Sequence, residues 1–373
     1  MKILTILGTR PEIIRLSRVI ASLDEVFDHV LVHTGQNSDF RLSEVFFQDL
    51  GVREPDYFLE IDRSSPGRII GEVLIETEKV LLKERPDAVL ILGDTNSALS
   101  AIIARRLKIP IFHMEAGNRC FDPNVPEEMN RRIVDHSSDV NLVYTEHARR
   151  NLLAEGIHPR SIYLTGSPMR EVLDFNRAKF KASAVLNELK LERGNYFLAS
   201  IHRAENVDSE GKLVGLLETF DLLSEEYGIP VIVSMHPRTR ERVEKLNGWR
   251  AKGDVRFLEP FGFHDYIALQ LNARCTLSDS GTVSEEAAIL GFPAVTLRHS
   301  IERPEAMDTG HIVVTGLNRE IIFDAVKLVT SRLWKDSGNV PPEYEVTNTS
   351  ERVVKLILGT AKLCHEWQGV NFE

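Results

Sequence analysis

Residues 88–92, Ala-Val-Leu-Ile-Leu, are apolar at every position and stop at Gly93-Asp94-Thr95-Asn96. A strand with one wet face alternates polar and apolar residues. An unbroken apolar run of this length, closed by a glycine turn, belongs to a parallel sheet covered on both faces. Parallel strands need crossover helices, and the chain supplies them. Helices are expected after Thr9-Arg10-Pro11-Glu12, over 41–50, over 67–84, from Ser97 and over Glu146–Glu155. Pro11 suits a first helical turn and Thr9 suits its cap. The apolar side of 67–84 carries Ile69, Ile70, Val73, Leu74, Thr77, Val80 and Leu81 at helical spacing. Further short strands are expected at Ile3–Leu7, Val30–His33, Pro110–His113, Val140–Tyr144 and 161–165.

Gly166-Ser167-Pro168 breaks the pattern, and the same alternation then starts again. Strands are expected at Tyr196–Ile201, Pro230–Ser234, Val255–Leu258, Cys275–Ser278 and Pro293–Leu297, with helices at Leu213–Tyr227, at Asp265–Ala273 and from Ser280-Gly281 to Gly291. About thirteen strands alternate with helices, which predicts an α/β fold. The expected organisation is an N-terminal Rossmann-like domain over 1–168 and a second over 169–345, facing a deep cleft. A tail helix in 346–373 is expected to cross back onto the first domain.

A chain of 373 residues can bury two cores, and 43% hydrophobic with 27% charged residues is ordinary for a globular enzyme. The net charge of −10 argues against nucleic acid as a partner. Cys120, Cys275 and Cys364 lie far apart and form no metal-binding pair. No apolar run reaches the length of a membrane span, and the short apolar N-terminus reads as a buried first strand; a cytoplasmic protein is expected.

Ligands of open α/β sheets bind at the carboxyl ends of the strands. Asp94, Glu115, Glu127 and His202 are the ionisable groups there or in the loops that follow. Together they suit acid–base work on a sugar, which needs one group to take a proton and another to return it. Asp94 also reads as a simple helix cap. His33, His113 and His236 end strands and can simply hydrogen-bond backbone; a divalent metal on Asp94, Glu115, Glu127 and these histidines lacks any supporting spacing. Three features suit an anion: the free N–H groups of Gly8-Thr9-Arg10 at a helix start, Ser280-Gly281-Thr282 at another, and Arg303. Glu286, further along the helix that follows Ser280, could take a ribose diol; a solvated Glu286 and a capping Ser280 are the plain alternatives. These residues point to nucleotide-sugar chemistry and leave transfer and isomerisation open.

The segments GTRPE at 8–12, HTGQ at 33–36, GDTN at 93–96, EAG at 115–117, PEE at 126–128, HR at 202–203, DSG at 279–281, EE at 285–286 and ERPEA at 302–306 occur in that order. Together they resemble the non-hydrolysing UDP-N-acetylglucosamine 2-epimerase family. The resemblance implies a two-Rossmann-domain architecture of the glycosyltransferase GT-B type, no metal, no cofactor and a homodimer. It implies elimination of UDP to a 2-acetamidoglycal and re-addition after C2 is reprotonated on its other face. Carried over by motif, Asp94, Glu115, Glu127 and His202 are the catalytic candidates. Arg10, His202, Ser280 and Gly281 would hold the diphosphate, Glu286 the ribose, Arg303 the sugar-phosphate region, Tyr266 a stacked uracil and the Phe261 backbone the base edge.

Arg15 stands where the family commonly has lysine, which keeps the charge and changes its geometry. Gln36-Asn37-Ser38-Asp39 departs from the family's Gln-His pair, which serves a regulatory second nucleotide-sugar. The segment between Glu115 and Glu127 is short, with Asn118 and Cys120 in place of the usual Leu and Thr. With the segments at 8–19, 33–37, 44–51 and 165–169, this loop looks most like one subgroup. Its members are the UDP-2-acetamido-2,6-dideoxy-L-talose 2-epimerases, which make UDP-N-acetyl-L-fucosamine for capsule and O-antigen. The other readings are a UDP-N-acetylglucosamine 2-epimerase, a two-domain glycosyltransferase with a UDP-sugar donor, and a non-catalytic sensor.

Overall fold

The computed structural model of the chain describes residues 1–36, 46–246, 249, 251–331 and 339–369. Asn37, Ser38 and Asp39 lie outside the described residues, as do residues 41–45 of the helix expected over 41–50; residues 46–50 are helical.

The first sheet contains β1 (Lys2–Leu7), β2 (Asp28–His33), β3 (Tyr57–Phe58), β4 (Ala88–Leu92), β5 (Ile111–Met114), β6 (Val140–Val143) and β7 (Ile162–Leu164). Its order is β3-β2-β1-β4-β5-β6-β7, and every neighbouring pair is parallel. The second contains β8 (Phe197–Ser200), β9 (Val231–Ser234), β10 (Val255–Leu258), β11 (Cys275–Ser278), β12 (Ala294–Thr296) and β13 (Val313–Val314). Its order is β10-β9-β8-β11-β12-β13, again parallel throughout. Both sheets reverse direction beside their first strand, between β1 and β4 and between β8 and β11. In doubly wound folds that reversal opens the crevice where ligands bind.

The crossover helices follow from local sequence. Helix α1 (Arg10–Val26) starts with proline and a capping box of Thr9 and Glu12, and buries Ile13, Leu16, Val19, Ile20 and Leu23. Helix α2 (Pro66–Glu84) is capped by Ser65, which accepts from the Arg68 N–H, and buries Val73, Thr77, Val80 and Leu81. Next come α3 (Pro126–Ser137), α4 (Glu146–Ala154), α5 (Met169–Lys181), α6 (Glu210–Tyr227), α7 (Phe263–Asn272), α8 (Val283–Leu290) and α9 (Thr349–Thr360). The chain forms two compact units, Met1–Phe175 with Pro342–Glu373, and Asn176–Pro341. The boundary expected at 168 falls immediately before α5, where Pro168 precedes a helix, and the division between the units lies within that helix, after Phe175. The segment from Ser97 begins as a 3-10 turn (Asn96–Ser100) before turning α-helical over Ala101–Arg106.

Each unit has its own core. Leu4, Ile6, Val32, Val89 and Ile91 pack with Val73 and Leu81 in one. Phe197, Ala199, Val231, Val233, Leu277 and Val295 pack with Leu216, Leu217 and Phe220 in the other. Helix α9 buries Val353 and Ile357 and packs on α1.

Candidate active site

The N-terminal switch point is formed by the residues after β1 and β4. The Gly8 and Thr9 N–H groups both donate to Glu12 Oε2, at 2.8 and 2.7 Å, and the Thr95 hydroxyl donates to Oε1 at 2.8 Å. This corrects the expectation that those N–H groups are free for an anion: a buried carboxylate of the same helix already occupies them. Arg10 remains, half-buried, with its guanidinium 5.6 Å from the Phe46 ring centroid; burial lowers its pKa from the ordinary value.

Burial pushes the Glu12 carboxyl up to about 7, against the pull of these donors. Between the ordinary carboxyl value of 4.5 and about 7, the folded state holds this proton and the unfolded state does not. The contribution is therefore full below 4.5 and is lost as pH rises through 7, by on the order of 3 kcal/mol. Glu12→Gln, which cannot ionise, is expected to flatten that slope. Urea unfolding of both proteins at pH 5 and pH 8 checks it; equal slopes would refute the assignment.

Asp94 follows β4 and is not the cap of the next helical turn, which starts after Thr95. Its Oδ2 accepts from Arg131 Nε at 2.8 Å and Nη2 at 2.7 Å. The same guanidinium gives Nη1 to Glu128 Oε2 at 2.9 Å and to Cys120 Sγ at 3.4 Å. Glu115 follows β5 with φ +65°, a left-handed conformation costly for a side chain. Arg15 Nη1 lies 3.4 Å from its Oε2, and Asn118 Nδ2 donates to Oε1 at 3.3 Å. Arg15 is buried, with its guanidinium 5.8 Å from the Tyr144 ring centroid. Glu127, half-buried in the first turn of α3, has no ion-pair partner among the described residues.

The turn bearing Glu115 is held by groups the motifs did not single out. Asp135 of α3 accepts from the Gly117 N–H at 3.2 Å, from Arg119 Nη1 at 2.7 Å, and pairs with His113 Nδ1 at 2.9 Å. The other ring nitrogen of His113 lies 2.8 Å from the Gly93 carbonyl, beside Asp94. Arg119 forks onto Glu155, at 2.8 and 2.7 Å. Gly117 has φ +80°, and a Cβ there would lie 2.4 Å from the Ala148 carbonyl. His113 is thus committed to positioning. Among the described residues no three His, Cys, Asp or Glu side chains could hold a metal ion.

The C-terminal switch point lies after β8 and β11. Asp279 accepts from the His202 and Arg203 backbone N–H groups and from Asn206 Nδ2, each at 3.0 Å, and pairs with His202 Nδ1 at 3.1 Å. Burial pushes the Asp279 carboxyl up, but His202 and these donors outweigh it and hold it below the usual range. His202, fixed by Asp279, keeps about a third of its side chain exposed. His236 caps the following helix through Nδ1, accepting from Arg238 N–H at 3.2 Å.

Gly281 sits between two arginines. A Cβ there would lie 2.9 Å from Arg303 Nη1 and 3.5 Å from Arg203 Nη2. Arg303 donates to the Gly281 carbonyl at 2.5 Å, and Arg203 Nε is buried without a protein hydrogen bond. Ser280 is not the cap of α8; its hydroxyl accepts from the Thr282 N–H at 3.3 Å. Glu286 is buried rather than solvated, and Gln270 Nε2 donates to it at 2.7 Å. Tyr266 on α7 turns its hydroxyl inward to Ser200 and Ser278; burial, then the Glu286 charge, raise its pKa. Phe261 is half-buried in the loop before α7. Arg203, Asp279, Asp135 and Arg119 are the site groups that reasoning from motifs left out. Arg203 and Asp279 carried a signal, standing in the segments HR at 202–203 and DSG at 279–281, though neither was assigned a role.

Two doubly wound parallel sheets, each with charged groups at its switch point, form a GT-B type α/β architecture. The model of the family described as UDP-N-acetylglucosamine 2-epimerase matches residues 21–358. The UDP-N-acetylglucosamine 2-epimerase from Rickettsia bellii is 46% identical, with TM-score 0.91 and 98% of both chains covered. The Methanocaldococcus jannaschii UDP-GlcNAc 2-epimerase, solved with UDP-GlcNAc and UDP, is 37% identical with TM-score 0.90, covering 96% of this chain and 99% of that one. The Pseudomonas aeruginosa UDP-2,3-diacetamido-2,3-dideoxy-D-glucuronate 2-epimerase is 36% identical, covering 96% of this chain and 99% of its own. The chain belongs to the UDP-N-acetylglucosamine 2-epimerase family. It is an isomerase of the UDP-sugar 2-epimerase type. No helix among the described residues is long and apolar enough to cross a membrane.

Proposed function

We propose that the chain interconverts UDP-2-acetamido-2,6-dideoxy-L-talose and UDP-N-acetyl-L-fucosamine, a step that supplies capsule or O-antigen synthesis. A carboxylate of the N-terminal unit takes the C2 proton, the bond from C1 to the β-phosphate oxygen breaks with its electron pair leaving on UDP, and C1=C2 forms. UDP then re-adds through that oxygen as a proton reaches the opposite face of C2. His202, Arg203, Arg303, Ser280 and Gly281 hold the diphosphate, and the fixed positive charge around Gly281 stabilises it as it departs. Arg10 is a further candidate for the diphosphate. Glu286 takes the ribose; Tyr266 and the Phe261 backbone take the uracil.

Of the carboxylates, Glu115 and Glu127 suit proton transfer best, because Asp94 is held by both arms of the Arg131 fork. Asp94 then orients and balances charge, and Arg15 serves Glu115. The observation that carries the 6-deoxy sugar is the loop after Glu115. Asn118 donates to Glu115 and the Cys120 sulfur meets Glu128 and Arg131, so this altered loop adjoins the reacting groups and supports a different reading of C6. The second reading, conversion of UDP-N-acetylglucosamine to the manno epimer, is favoured by the activity of the R. bellii and M. jannaschii relatives.

NMR in D2O with each UDP-sugar separates them. Deuterium at C2 of the fucosamine sugar with a talo product is expected. Exchange only in the glucosamine sugar establishes the second reading, and no exchange in either sinks both.

A further inference from the structure

Phe121 is the most exposed large apolar side chain among the described residues, at 69%, and its φ is +54°. Bulky residues rarely accept that conformation, whereas glycine does so without strain. The chain turns there because Cys120 is gripped on three sides. Its N–H donates to Glu128 Oε2 at 3.0 Å, and its sulfur contacts Glu128 Oε2 at 3.3 Å and Arg131 Nη1 at 3.4 Å. The sulfur also receives the Asp122 backbone N–H. The next residue is left-handed, and its side chain stands in the open. A turn of this shape needs no side chain, yet the sequence places a phenyl ring on it. Its chain neighbour Cys120 is two contacts from the Asp94 carboxylate, through Arg131.

We propose that Phe121 is the specificity-determining residue that receives the C5–C6 edge of the sugar and selects a methyl there. This rests on the 6-deoxy reading above. Carbons 5 and 6 lie across the ring from the reacting C2, one ring width away. An aromatic face accepts a methyl and strips a hydroxymethyl of its hydrogen bonds with nothing in return. The exposed ring is thereby covered when substrate is bound.

The test compares kcat/KM for UDP-N-acetyl-L-fucosamine and UDP-N-acetylglucosamine in the wild type, Phe121→Gly, Phe121→Asn and Phe121→Leu. Glycine and asparagine both accept a positive φ, so neither should lower the melting temperature. The wild type is expected to prefer the 6-deoxy sugar. Phe121→Gly and Phe121→Asn should reduce that preference about tenfold or more, mainly through KM, and Phe121→Leu should keep most of it. A wild type that prefers the 6-deoxy sugar while both variants stay within twofold would overturn the role of Phe121 and leave the substrate reading standing. A wild type that acts only on UDP-N-acetylglucosamine would overturn both.

Discussion

Glu115→Gln is expected to lower turnover about 100- to 10,000-fold, the range for losing a positioned acid–base group. The amide keeps the shape of the side chain, its oxygen can accept from Arg15, and its NH2 can donate to Asn118 once that amide is turned over, so the turn at φ +65° should persist. KM should change little, because the group acts on the proton at C2 rather than on the nucleotide. Deuterium incorporation at C2 reads the chemical step directly, and calorimetric binding of UDP reports an intact C-terminal unit. Turnover within threefold of wild type would remove Glu115 from the proton transfers and leave Glu127.

Arg119→Ala is expected to cost the N-terminal unit about 3–5 kcal/mol, because it leaves a buried charge uncompensated. The side chains of Arg119 and Asp135 are both 0% exposed, so truncation leaves the Asp135 carboxylate buried without this counter-charge. The loss would be read as a lower urea midpoint for the N-terminal unit, with the transition of the C-terminal unit unchanged. The Arg119 fork also holds the Glu155 carboxyl down to about 2. A folded value below the ordinary 4.5 means stability that is present above 4.5 and lost as pH falls through about 2. In the variant this acid dependence should largely disappear. An unchanged midpoint would mean that the network is not buried in solution.

Much of the sheet was legible in the chain. Ala88–Leu92, Val255–Leu258 and Cys275–Ser278 are strands at the residues expected; the first is a continuous apolar run closed by glycine, and the other two are short segments closed by polar turns at Glu259-Pro260 and Asp279. The edge strands Tyr57–Phe58 and Val313–Val314 were not legible, because two residues carry no period. Helix α5 was hidden by the Gly-Ser-Pro run before it.

At the site, the residues at strand ends could be named because a parallel sheet fixes where its turns face. Their partners could not. Asp135 serves Gly117 and His113, and Asp279 serves His202 from far along the chain; neither pairing leaves a local pattern. Glu12 was legible in retrospect. Thr9 followed three residues later by Glu12 is a capping-box signature, and it implies that the helix start is already occupied.

The packing of α9 on α1 bears on how the chain acquires its structure. The N-terminal unit is assembled from two stretches of sequence with the whole C-terminal unit threaded between them. During synthesis, the outer face of α1 emerges early and its cover emerges late. The C-terminal unit, one uninterrupted stretch, can finish folding while the first still shows bare apolar surface. That interval is when the nascent chain is most open to chaperones and to self-association.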